Sequence, residues 1–149
     1  MQIYVVGFYF DSESDDVVLI EKKRPAWQAG LLNGVGGHVE KGETALRAIR
    51  REFREEAGVE VVAWTHTVTM LFPYAVVYIF KATGPASRVR SMTDESVVRV
   101  NPRQLHRHAV VDHLRWLIPL VKEQTLLWPI MMGGNFIPSW APTGKPVQT

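Results

Sequence analysis

The apolar positions of this chain fall into short β-rich runs, one strongly periodic helix, more β-rich runs and a terminal amphipathic stretch. Gln2–Phe10 is dense in β-branched and aromatic residues and predicts a strand, with Gly7 marking a bulge or a close backbone approach. Asp11–Asp16 reads as a polar turn and Val17–Glu21 as the returning strand of a hairpin. Lys22–Gly30 is a loop containing Pro25 and Trp27, and Leu31–Gly37 approaches the helix through three glycines. The helix has Thr44 to cap it, Gly58 to end it, and Leu46, Ile49, Phe53 and Ala57 along one apolar face.

Beyond the helix, Glu60–Phe72 and Ala75–Lys81 are rich in Val, Thr, Trp, Tyr and Phe around Pro73 and predict two strands of a hairpin or meander. Trp64, Phe72, Tyr74, Tyr78 and Phe80 are expected in the core or on a sheet face. Gly84–Ser91 reads as a loop and Val97–Val100 as a short strand. Asn101-Pro102 opens a helical region in which Val110, Val111, Leu114, Leu117, Ile118 and Val121 form an amphipathic stripe, with Pro119 expected to kink or split it. His106, His108 and His113 cluster in sequence, but at about 100° per residue His108 and His113 point about 140° apart. They are read as surface or partly packed residues rather than a zinc site.

Within the helix, Glu52 and Glu56 lie on one side, with Glu55 about 60° round from Glu52. Glu56 projects only about 20° from Ile49, at the edge of the apolar stripe. Three neighbouring carboxylates repel, each like-charged i,i+4 pair costing roughly 0.2–0.5 kcal/mol. A hard divalent cation is the natural compensation, since magnesium takes carboxylate and carbonyl oxygens and shares its shell with substrate phosphates. The bland alternative is a solvated helix laced with salt bridges, for which Glu43–Arg47 and Arg51–Glu55 are suitably spaced. Gly34, Gly36 and Gly37 just upstream favour the site, because glycine lets a carbonyl or amide approach an ion or phosphate.

Composition narrows the class. A chain of 149 residues, nearly half apolar, suits one domain with a sizeable core, residues 125–149 forming a hydrophobic C-terminal extension. There is no cysteine, which excludes disulfides and thiolate metal sites. The formal charge of +2 is too small to argue for a nucleic-acid polymer, although Lys22-Lys23-Arg24 suits a phosphate-bearing small molecule. The first residues have no basic leader and Asp11 interrupts the apolar run, so a cytoplasmic protein without a membrane span is expected. The tail from Thr125 carries Trp128, Met131, Met132, Phe136 and Trp140, too apolar for simple disorder. It is expected to pack on its own domain or on a second subunit, as in a homodimer.

Gly37, five residues, Glu43, seven residues, then Arg51-Glu52-Phe53-Arg54-Glu55-Glu56-Ala57-Gly58-Val59 matches the Nudix box, G-x5-E-x7-R-E-U-x-E-E-x-G-U, at every specified position. The chain therefore resembles a Nudix hydrolase of the MutT-like kind. The resemblance implies an α/β fold, with a central mixed β-sheet between the box helix and a C-terminal helix. It implies magnesium-dependent hydrolysis of a phosphoanhydride, with manganese as a substitute ion. Glu52, Glu55 and Glu56 are the implied metal ligands, a carbonyl of Gly36 or Gly37 another, and Glu95, preferred to Asp94, a further acid near the metal. One of the three glutamates, Glu55 with Glu52 as runner-up, is implied to act instead through water as the general base. Arg51 is the strut that orients these carboxylates, and Glu43 is its structural partner.

The stretch Leu32-Asn33-Gly34-Val35-Gly36-Gly37 is also similar to W-N-G-x-G-G-K of enzymes that clean oxidised nucleotides, in which the asparagine touches a purine. A turn role for Asn33 is the alternative. His38 stands at their lysine, only partly charged near neutral pH, and Trp27 is either a core plug or a wall of the substrate pocket. The expected substrate is a nucleoside triphosphate, cleaved to monophosphate and pyrophosphate, including oxidised purines such as 8-oxo-dGTP. The alternatives are ADP-ribose or another nucleoside diphosphate sugar, a dinucleoside polyphosphate (hinted at by Tyr74 or Tyr78), and a regulatory module without catalysis.

Overall fold

The computed structural model describes residues 1–123 and 130–133. The chain begins with β1 (Gln2–Asp11) and β2 (Val17–Glu21), then passes a 3-10 turn at Ala26–Gln28 to β3 (Leu32–Asn33) and β4 (Val35–His38). Helix α1 (Ala45–Ala57) follows, then β5 (Thr65–Leu71), β6 (Ala75–Gly84) and β7 (Val97–Val100). A 3-10 segment at Pro102–Arg107, α2 (Leu114–Glu123) and β8 (Ile130–Gly133) complete the described residues.

The strands form one mixed sheet. β1 and β6 run parallel through its centre, paired from Gln2 with Ala75 to Asp11 with Gly84. The other edge of β1 is shared, its first half with β4 and its far end with β2, both antiparallel. Strand faces alternate as a period of two requires. Val5, Tyr9, Val18, Ile20 and Phe80 pack with Ile49 and Phe53 of α1 on one face. Phe8, Phe10, Leu19, Val77 and Ile79 pack with Leu114, Leu117 and Ile118 of α2 on the other. Ile49 and Phe53 are fully buried, worth about 1.5–3 kcal/mol each.

Helix α1 has the expected ends. The Thr44 hydroxyl accepts from the Arg47 amide at 3.2 Å, and Gly58, at φ 74°, adopts the left-handed C-cap that glycine supplies most cheaply. The face differs by one residue. Ala48 is buried with Ile49, Phe53 and Ala57, whereas Leu46 in the first turn stays 41% exposed. Gly7 is the expected close approach, since a Cβ there would lie 2.6 Å from Cδ1 of Ile49.

Several expectations are corrected. The glycine stretch is not a bare loop but β3 and β4, hydrogen-bonded into the sheet. Glu60–Trp64 is outside β5; Trp64 instead packs edge-on against Phe53 at 5.2 Å between ring centres. Tyr74 is exposed, while Trp64, Phe72 and Phe80 are buried. Pro119 does not split α2, which runs through it with one helical hydrogen bond fewer. His113 is 3% exposed rather than at the surface. From the tail, Met131 and Met132 belong to β8, which pairs parallel with β5 of the same chain. Trp128, Phe136 and Trp140 lie outside the described residues. Among the described residues no helix is long and apolar enough to cross a membrane.

Candidate active site

Helix α1 lies against β4, so the glycine strand and the glutamates of the helix meet. Gly36 pairs with Val6 and Gly37 with Val5. A Cβ on Gly36 would strike the carbonyl of Val5, and one on Gly37 would lie 2.5 Å from Oε1 of Glu52. Glycine at 37 therefore makes room for a carboxylate directly against the strand.

Arg51 organises this cluster. Its Nε and Nη2 donate to the two carboxylate oxygens of Glu43 at 2.8 and 2.9 Å, a bidentate fork. Nη1 donates to Glu52 at 2.7 Å and to Glu55 at 3.4 Å, and Nη2 also donates to the carbonyl of His38 at 3.0 Å. One guanidinium thus ties the helix to the end of β4. The hydrogen bonds from Arg51 hold the Glu43 carboxyl below its ordinary range, and those from Glu43, then Glu52, raise Arg51.

The remaining acids differ in environment. Burial raises Glu52 despite Arg51. Glu56 is pushed up to about 8, first by burial and then by the charge of Glu52, with Glu95 and Glu55 adding to the effect and Lys22 opposing it. Its Oε2 is buried and, among the described residues, has no hydrogen-bond partner. A buried carboxylate oxygen in that state must keep a proton or receive a cation. The side chain of Glu55, by contrast, is about half exposed.

Glu95 is fastened. It accepts from Lys22 Nζ at 3.1 Å and from the amides of Lys23 and Arg24 at 2.6 and 3.3 Å. Burial alone would raise it, yet the Lys23 amide and the Lys22 ammonium together hold it below the usual carboxylate range. Asp94, the acid set aside in its favour, pairs with Arg24 at 2.5 Å. Among the described residues, no three carboxylates or imidazoles already converge as a ready ligand group. Glu52 turns towards Arg51 and Glu95 towards Lys22, whereas Glu56 presents an oxygen without a partner among the described residues. Charge, burial and hard oxygen chemistry at Glu52, Glu55 and Glu56 fit a divalent cation of the magnesium type.

A cavity of about 560 Å³ lies beside this cluster across Gly36 and Gly37. Asn33, Trp27 and His38 all line it, as do Lys22, Gln28 and His113. Trp27 is a half-exposed wall rather than a core plug. His38 packs against Tyr4 with ring centres 4.2 Å apart and planes tilted by 45°. Asn33 is buried; its Oδ1 accepts from the Gly34 amide at 2.8 Å and its Nδ2 donates to Gln28 Oε1 at 3.1 Å. Gln28 and His113 were not anticipated as lining residues. His113 was legible, because at about 100° per residue it lies only about 40° from Leu117 on the buried stripe. Burial pushes its imidazole down to about 3, so it is neutral. Gln28 carries no comparable sequence signal.

The NUDIX domain family matches residues 1–120. The chain belongs to the Nudix family. Solved structures of the same fold include the mMutator MutT protein of Bacillus halodurans, with TM-score 0.68, 20% identity, and 91% of each chain covered. A MutT structure from the pair Aliivibrio salmonicida and Vibrio cholerae gives TM-score 0.67 and 19% identity over 83% of this chain and 97% of that one. The NUDIX domain of Shewanella oneidensis NrtR, complexed with ADP ribose, gives TM-score 0.67 and 15% identity over 81% and 86%. In sequence, 44 residues are 48% identical to an oxidized purine nucleoside triphosphate hydrolase of Danio rerio, spanning 30% of this chain and 28% of that protein. The whole Nudix box thus stands on a Nudix domain.

Proposed function

We propose that this Nudix protein is a hydrolase that cleaves nucleoside triphosphates to monophosphate and pyrophosphate in a magnesium-dependent reaction, oxidised purine nucleotides such as 8-oxo-dGTP among them. The observation that carries the reading is the continuity of two unlike surfaces. A largely apolar cavity of nucleotide size opens beside a helix edge carrying three carboxylates, with only the strand Gly36-Gly37 between them. The short match to the zebrafish purine nucleotide hydrolase supports the choice of base class.

In this reading Glu52 and Glu56 hold the ion, with a carbonyl of Gly36 or Gly37 as a further donor and Glu55 acting instead through water, and manganese can replace magnesium. The bound ion supplies Lewis-acid neutralisation of charge on the phosphoryl oxygens. Arg51 and Glu43 hold the carboxylates in place. Glu55, the most accessible of the three, takes a proton from the attacking water as the bond between phosphorus and the bridging oxygen breaks. Glu95 acts as an anchor for Lys22, Lys23 and Arg24, a positioning role rather than a ligand's. Trp27, Asn33 and His38 border the nucleoside, with Asn33 framing the cavity through its internal bonds.

The test is a panel of canonical and oxidised NTPs and dNTPs, ADP-ribose and Ap4A with magnesium, resolved by chromatography, with Glu55→Gln as control. Monophosphate plus pyrophosphate from a triphosphate is the expected outcome. AMP plus ribose phosphate as the main product would instead assign the enzyme to the diphosphate sugars. Silence across the panel would move the chain to a binding role.

A further inference from the structure

Gln28 closes the 3-10 turn at Ala26–Gln28, and its backbone is fully engaged: its amide donates to Pro25 at 2.9 Å and its carbonyl accepts from Leu31 at 2.9 Å. It is 8% exposed and lines the cavity. Its side-chain orientation is set by a chain of obligatory donors and acceptors. The Gly34 N–H can only donate, so the Asn33 oxygen must face it. The Asn33 amide nitrogen is thereby turned to Gln28, which must present its own oxygen in return. That leaves the Gln28 Nε2 hydrogens directed elsewhere, and among the described residues no hydrogen bond engages them. Gln28 lines the cavity, so these donors are available to an acceptor on a molecule bound there.

Three other polar groups around the cavity are already engaged. Lys22 is paired with Glu95 and Arg24 with Asp94, and Asn33 has spent its oxygen and one amide hydrogen internally. On the proposed reading of this cavity as the nucleoside site, the group facing Gln28 belongs to the base. We propose that Gln28 determines base specificity by donating its amide hydrogens to a carbonyl oxygen on the base edge. The favoured substrates are then nucleotides with oxo-bearing bases, including purines that have gained an oxo group, over those presenting an amino group at the same position.

ITP and ATP test this contact, because their bases present a 6-oxo group beside a protonated N1 against a 6-amino group beside an unprotonated N1. The experiment measures kcat and KM for both with wild type, Gln28→Leu and the near-isosteric Gln28→Glu, each checked by thermal melting. Wild type should favour ITP in kcat/KM by about tenfold or more. Gln28→Leu should bring the ratio near one, mainly through the KM for ITP with kcat retained. Gln28→Glu replaces the donor with an acceptor and should move the ratio towards ATP. A ratio unchanged in both variants, or equal losses on both nucleotides, would overturn the assignment and leave Gln28 a structural brace. A wild type silent on both nucleotides that cleaves ADP-ribose would instead remove the nucleoside triphosphate reading itself.

Discussion

A Cβ on Gly37 would lie 2.5 Å from Oε1 of Glu52. The obstacle is the tip of a flexible side chain, so Gly37→Ala should fold with little loss of stability while displacing Glu52 from its place against the strand. Turnover should fall by about 10-fold or more, since a misplacement of about 1 Å can cost roughly 100-fold. Gly36→Ala is the contrast: its Cβ would strike the backbone of Val5, so the melting temperature should fall first. Thermal melts and initial rates for the two variants separate the effects, and equal behaviour would refute the distinction.

The fork between Arg51 and Glu43 predicts a different pattern. Hydrogen bonds to charged groups contribute about 1.5–3 kcal/mol each when largely shielded, and both side chains are mostly buried. Arg51→Lys keeps the charge but cannot grip Glu43 bidentately and reach Glu52 as well. It should lower kcat by about 10–100-fold, as loss of supporting groups around metal ligands does, with a smaller change in KM. Glu43→Gln should reduce stability by about 1–3 kcal/mol, measured by denaturant titration. Wild-type kcat in Arg51→Lys would show that the strut is dispensable.

Glu56 makes the metal-free protein pH-dependent. Its carboxyl, ordinarily near 4.5, is raised to about 8 in the fold. Between those values the folded chain holds a proton that the unfolded chain releases. Stability is therefore greatest below the lower value and declines as pH rises through the upper one, by at most about 1.4 kcal/mol per pH unit. Glu56→Gln should flatten this decline and raise the melting temperature in EDTA at pH 8, even as it abolishes turnover. Parallel pH–stability curves for wild type and variant would refute the assignment.

Much of this site was legible from residue order because a helix converts spacing directly into direction. Arg51, Glu52, Glu55 and Glu56 had their mutual angles before any fold was known, and Thr44 and Gly58 bounded them by cap chemistry alone. Gly7 announced a close approach for the same reason that Gly37 does. What was not legible depends on contacts between distant segments. Nothing near Glu95 in sequence says that Lys22 and two backbone amides will claim it. Trp64 looked like a strand residue but leaves the sheet to meet Phe53. Leu46 shares a helical stripe with Ile49, yet periodicity gives the direction of a face and not where along the helix its burial begins. Gln28 depends on a two-step exchange through Asn33 and Gly34 that only the packed loop creates.

The measurement that bears most directly on the central claim is the initial rate of triphosphate hydrolysis as a function of magnesium concentration, for wild type and Glu56→Gln side by side. The carboxylate cluster as the ion's site predicts saturable activation of the wild type and a loss of about 100-fold or more at every concentration in a variant that is still folded. Near-wild-type turnover and an unchanged magnesium dependence in Glu56→Gln would contradict it.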